Sequence, residues 1–183
     1  MNEVFESPER AAVIQPRVLE LFVFTSKDVA NRENLTGVYV EPTRAFATDG
    51  HRATIVNQAT DLGACSRLFI PREIAEAAAK ATRKRGAPFA MLDVEARTLS
   101  VGAAQWKIPE TKHVPPPLDQ ITSTVDYLSA KDMGIDARYV SDAQDYLERV
   151  EGAKAVYLDA CSELLWLVRT SGDYRMIVMG VRS

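Results

Sequence analysis

Asp49, His51 and Arg52 stand almost side by side in Thr48-Asp49-Gly50-His51-Arg52, and a carboxylate, an imidazole and a guanidinium this close suggest general acid–base work. The rest of the sequence gives such a centre no company. His51 and His113 are the only histidines, and there is no Gly-x-Ser-x-Gly elbow, phosphate-cradling glycine loop or zinc spacing. Cys65 and Cys161 lie far apart and form no spaced pair, so two reduced thiols are expected rather than a disulfide framework or a cysteine zinc site. Neither an enzyme nor a cofactor is expected. A second reading needs no catalysis. Asp49-Gly50 between two short apolar runs is a strong hairpin signal, but a hairpin does not need Thr48 before the pair or His51-Arg52 after it. The stretch is therefore either a surface turn with polar flanks or a turn that presents these side chains to a partner.

Three segments in which a helix is followed by strands must position it. Pro16 to Asn31 is long enough for a helix yet rich in valine and phenylalanine; a helix is expected there, although its periodicity is ambiguous. Strands are expected at Leu35 to Glu41 and across Ala45 to Val56. The second helix is the clearest: Pro71 suits its start, alanines fill it and Gly86 sits at its stop. At about 100° per residue, Ile74, Ala77, Ala78 and Ala81 share one sector, and Arg72, Glu76, Lys80 and Arg83 the opposite one, with Lys84 beside them. "PFAMLDV" and "RTLSVGAAQWKIP" read as two strands about a turn at Glu95-Ala96, before a proline-fixed loop at "HVPPPLDQI". Residues 122 to 136 read as a linker. Asp136 offers an N-cap for a third helix whose apolar face holds Tyr139, Val140, Ala143, Tyr146, Leu147 and Val150, and whose other face holds Arg138, Asp142, Asp145 and Arg149. Gly152 stops it, and strands follow at "KAVYLDA", "ELLWLVRT" and "YRMIVMGV", the last two joined at Ser171-Gly172-Asp173. The three units begin 55 to 65 residues apart by pattern alone, and units this small must pack against one another.

The 183 residues, 46% hydrophobic and 26% charged, suit a globular chain of one domain or a little more. No run approaches a membrane helix, and "MNEVFESPER" lacks the features of a signal peptide, so a cytoplasmic location without membrane contact is expected. A net charge of −3 disfavours gripping nucleic acid with the whole surface but leaves room for a local basic patch.

Taken together, these residues resemble the bacterial β sliding clamp, the processivity factor of DNA polymerase III. The family's middle domain carries Leu-x-Gly, a strand and then Ala-Thr-Asp-Gly-His-Arg; here these are Leu35-Thr36-Gly37 and Ala47 to Arg52. Its Pro-Arg helix start is met by Pro71-Arg72, and its proline loop by Val114 to Ile121, in a register left open among Pro115, Pro116 and Pro117. Its closing Tyr-Val-Val-Met-Pro-Met-Arg-Leu is met by Met176 to Ser183, with Gly180 and Ser183 replacing the proline and the leucine. The resemblance implies an α+β clamp fold of repeated helix-plus-strands units, with antiparallel sheets outside and helices inside. Residues 1–125 would match the middle domain, and 126–183 the second half of the last.

It also implies a function. Clamps take a short extended peptide, anchored by leucine and phenylalanine, into a groove walled by the hairpin and the C-terminal tail. Carried across, the lining is Leu35, Thr48, Gly50, His51, Arg52, Pro116, Ile121, Ile177, Val178 and Met179. Arg52 would offer its stem as apolar wall and its guanidinium to the peptide. Ile177 to Met179 read on their own would be a buried strand. Clamp helices face duplex DNA without reading sequence, a role that would fall to Arg72, Lys80, Arg83, Lys84 and Arg85, with Arg17, Lys27 and Arg32 from the first helix. The residues alone read equally as a solvated helix face. The implied partners are duplex DNA, a polymerase or repair protein, and a clamp loader. A ring of twelve units built from chains of three calls for a homotetramer; a dimer would close only an open arc. A module that presents the groove without forming a ring, and so sequesters clamp-binding partners, is the alternative.

Overall fold

Strand β4 (Arg52–Asn57) shows how the sequence lays out the molecule, because its alternate residues belong to different clusters. Val56 enters the main core, whereas Ala53 and Ile55 join Tyr39, Phe46, Phe69 and Leu118 in a second cluster. The period of two that defines a strand here separates a helix-packed face from an outer one. The computed structural model describes residues 11–27, 32–118, 137–152, 157–162, 165–169 and 174–179.

Eleven strands form two antiparallel sheets among the described residues. The first has the order β1 (Ala11–Ile14), β6 (Ala90–Asp93), β7 (Thr98–Val101), β8 (Ala104–Lys107). The second runs β5 (Leu68–Pro71), β2 (Gly37–Val40), β3 (Arg44–Thr48), β4, then β11 (Tyr174–Met179), β10 (Leu165–Arg169) and β9 (Tyr157–Ser162). The first two units interlock. β5, which leads into the second helix, pairs with β2 of the first unit, and β1 pairs with β6 of the second. The third unit joins through β11, whose Ile177 and Val178 stand opposite Ala53 and Arg52.

Helices α2 (Arg72–Arg85) and α3 (Ala137–Glu151) bury Ala75, Ala78, Ala79, Ala143, Tyr146 and Leu147 in the main core, against alternate residues of both sheets. The face of α3 is the one its spacing predicts. On α2 the fully buried stripe is Ala75, Ala78, Ala79 and Thr82, turned by about one residue from the expected sector, so Ile74, Ala77 and Ala81 are only partly covered. Small side chains carry too little hydrophobic weight to fix a helix's rotation from sequence. At Gly86 the backbone takes φ +60 and ends the helix as expected.

The expected helix over 16–31 is a correction. One α-helical turn, α1 (Pro16–Leu19), passes into a 3₁₀ segment (Glu20–Phe24) and ends at Thr25, which is extended. Leu19, Leu21, Phe22 and Phe24 are all buried, so the segment is apolar on several sides rather than on one helical face. The Thr25 hydroxyl donates to the Phe22 carbonyl, and Arg72 Nη1 donates to the Phe22 and Thr25 carbonyls and to Thr25 Oγ1. The single strand expected over Arg97 to Pro109 is two, folded back at Gly102, where φ is +57. Gly37 explains its own place after Leu35: a Cβ there would meet the Ile70 carbonyl oxygen at 2.5 Å. Asp136, the 122–136 linker, the 171–173 turn, Gly180 and Ser183 lie outside the described residues.

Candidate functional site

Asp49 organises the hairpin. Its Oδ1 accepts hydrogen bonds from the backbone N–H groups of His51 and Arg52, at 3.0 and 3.1 Å, and its Oδ2 accepts from Arg52 Nε at 3.0 Å. The Thr48 hydroxyl donates to the Arg52 carbonyl at 2.6 Å and accepts from the Gly50 N–H. Thr48 and Asp49 thus spend their polar atoms on the turn itself. Gly50 adopts φ +91 at the tip; a side chain there would stand 2.7 Å from Arg32 Nη1 and 3.3 Å from Leu35 Cδ1. The Asp–His–Arg arrangement is turn architecture: Asp49 receives backbone amides, and His51 projects into solvent.

Arg52 points inward and is only 8% exposed. Its guanidinium stacks between the rings of Phe24 and Tyr139, at 5.1 and 4.8 Å, and its Nη1 donates to Asp142 Oδ2 at 2.6 Å. With Asp49, Phe24, Tyr139 and Asp142 as neighbours, it fastens α3 to the hairpin, where the sequence suggested a peptide contact.

The outer sheet face brings part of the expected lining together. Thr48 stands opposite Ala53, and Ala53 opposite Ile177, so these three form one row across β3, β4 and β11. Leu35 packs under the hairpin tip. The proline loop lies by the same face: Leu118 is buried in the outer cluster, its N–H donating to the Pro116 carbonyl, while His113 meets Phe69 edge-on and Asn34 Nδ2 donates to the Val114 carbonyl. Val178, one residue from Ile177, alternates to the opposite side and is fully buried in the main core. Met179 continues β11 opposite Leu165. Ile121 lies outside the described residues. Ala53 and Leu118 share this face with the expected lining, and sequence reasoning missed them. The pleat places Ala53 between Thr48 and Ile177 once β3 and β11 are known to flank β4, and a motif read along the chain does not carry that pairing.

On the helix side of the hairpin lies a cavity of about 850 Å³, lined by Lys27, Arg32, His51 and Arg72 as well as Arg52 and Asp142.

Solved structures share this architecture. The protein aligns over its whole length with a sliding clamp (DNA polymerase III subunit beta) from Bartonella birtlesii, with a TM-score of 0.73, 14% identity and 68% of that chain covered. Caulobacter crescentus pol III beta aligns with a TM-score of 0.69, 16% identity and 68% of its chain, and the Pseudomonas aeruginosa DNA polymerase III subunit beta with 0.66, 13% and 69%. The chain has the β sliding-clamp fold. No protein-family model matches the sequence, and no curated protein sequence does. The clamp fold is carried here by a chain that spans about two-thirds of those it matches.

Within the clamp fold, the cations expected to face DNA divide into two groups. Lys27, Arg32 and Lys84 are exposed. Lys80 is exposed and paired with Glu76 at 2.7 Å, a contact that holds the Glu76 carboxyl below its ordinary value, chiefly through the hydrogen bond from Lys80. Arg83 is partly exposed and bonded to Glu20 at 3.2 Å. Arg17 and Arg72 are half-buried and tied to the fold: Arg17 Nη2 donates to the Asn57 carbonyl, and Arg72 holds the end of the 3₁₀ segment. Each of the two spends part of its guanidinium on carbonyls of the fold and keeps the remaining donors. The Arg85 backbone ends α2. Among the described residues no helix is long and apolar enough to cross a membrane, and no cluster of ligating side chains could hold a metal.

Proposed function

We propose that this chain works as a sliding clamp, a non-catalytic ring of copies that encircles duplex DNA and tethers a polymerase or repair protein through a short apolar peptide. One observation carries the reading: residues from two distant parts of the sequence, Thr48 with Ala53 and Ile177, form one row on the outer face beside the proline loop. A short peptide binds usefully where apolar anchors meet a preformed concave surface, and this row with Leu35 and Pro116 would supply apolar side chains for one. By the family resemblance, Met179 and Ile121 would belong to the same lining. Duplex DNA would pass on the helix side, attracted by Lys27, Arg32, Lys80, Arg83, Lys84 and Arg85 through phosphates alone. Three units per chain favour four copies in a closed ring, which a clamp loader would open.

The test is binding of a fluorescent peptide carrying leucine and phenylalanine anchors. Ile177→Asp should weaken it at least tenfold, because an isolated charge resists burial under an apolar anchor. Ile177 is itself buried, so circular dichroism of the variant checks that the fold survives. Equal affinity of the two proteins would remove the groove from this face. The ties of Arg17 and Arg72 to backbone carbonyls thin the basic lining and favour a second reading, a module that presents the groove without encircling DNA. Normal peptide binding by a monomer would select it.

A further inference from the structure

A second cavity, of about 400 Å³, opens where α2, α3 and the segment after β1 meet, away from the hairpin. Three guanidiniums line it, those of Arg17, Arg83 and Arg149, against a single carboxylate, Glu20. Glu20 is 2% exposed and both its oxygens are used: Oε1 by Arg83 Nε at 3.2 Å, and Oε2 by Arg149 Nη1 at 3.1 Å. The carboxylate therefore fixes the two arginines in place and leaves most of their N–H groups unspent. Arg17 adds a buried Nε with no hydrogen-bond partner. The rim carries two apolar side chains held in water, Phe89 at 43% exposure and Val13 at 44%. Preset forks of donors with surplus positive charge suit a phosphate, and an exposed aromatic ring beside them suits the face of a base.

We propose that this cavity binds an unpaired nucleotide of single-stranded nucleic acid, with its phosphate among Arg17, Arg83 and Arg149 and its base stacked on Phe89. A base within a duplex is already stacked on both faces, so Phe89 selects for single strand. The site is separate from the outer-face row, and it lies within one copy of the chain, so it does not depend on a ring.

Fluorescence anisotropy with a short labelled thymidine oligonucleotide tests it, beside an abasic oligonucleotide of the same length and a blunt duplex. Phe89→Ala should weaken the thymidine oligonucleotide by about five- to a hundredfold. It should leave the abasic strand and the duplex unchanged, and Phe89→Trp should restore binding. Arg149→Lys, which keeps the charge but loses the fork, should weaken both single strands alike. Equal binding of thymidine and abasic strands, with Phe89→Ala silent, would overturn the assignment. So would Phe89-dependent binding of the duplex, or displacement of the oligonucleotide by an acidic peptide that binds more tightly. The outcome stands apart from the groove, which the Ile177→Asp peptide assay reads.

Discussion

Arg52 on the hairpin and Asp142 on α3 lie 90 residues apart in sequence, and their side chains meet at 2.6 Å. The guanidinium is also gripped by Asp49 and stacked between Phe24 and Tyr139, so one side chain ties the third unit to the turn of the first. Asp142 is half exposed, so the Coulomb part of the pair is screened and the stacking with the lost partner of Asp49 sets the larger share. Arg52→Met should destabilise the protein by about 2–3 kcal/mol in urea unfolding, since it strands Asp49 and removes the stack. Amide exchange in α3 should quicken first. A loss below about 0.5 kcal/mol would mean that α3 is held by its apolar face alone.

Gly50→Ala should cost about 1–2 kcal/mol, because the tip requires φ +91 and the new Cβ would press on Arg32 and Leu35. Since Leu35 is part of the proposed lining, peptide affinity should fall together with thermal stability. Unchanged stability would show that the turn relaxes freely.

Tyr39 gives a pH signature. Burial pushes its hydroxyl up to about 12 from an ordinary value of 10.0, against a smaller opposing effect of Arg67, and the hydroxyl donates to the Asn34 carbonyl at 2.8 Å. The folded state holds this proton more tightly than the unfolded chain does. Its contribution is therefore complete below pH 10 and is lost as pH rises through 12. Stability should drop by roughly 2 kcal/mol across that window, and Tyr39→Phe should flatten the drop. An identical alkaline profile in the variant would contradict the assignment.

Much of this was legible in the sequence, and the exceptions have physical causes. Helix α3 announces its buried face because its large apolar side chains recur at helical spacing. Helix α2 gives its limits through Pro71 and Gly86, yet its alanines leave its rotation undetermined to about one residue. The first helix misleads because Leu19, Leu21, Phe22 and Phe24 are all buried, a pattern neither period describes. At the hairpin, the motif located the turn but not the direction of Arg52, which depends on Tyr139 and Asp142 arriving from a distant segment. Ile177 and Val178 divide between two faces by strand alternation alone, visible once β11 is known to pair with β4.

The clamp account rests most heavily on whether copies of the chain close into a ring. Absolute mass by light scattering after size exclusion, over a range of concentrations, measures this directly. A concentration-independent species near four times 20.2 kDa is the predicted result. A monomer at every concentration would contradict encirclement and leave the outer-face groove as the function.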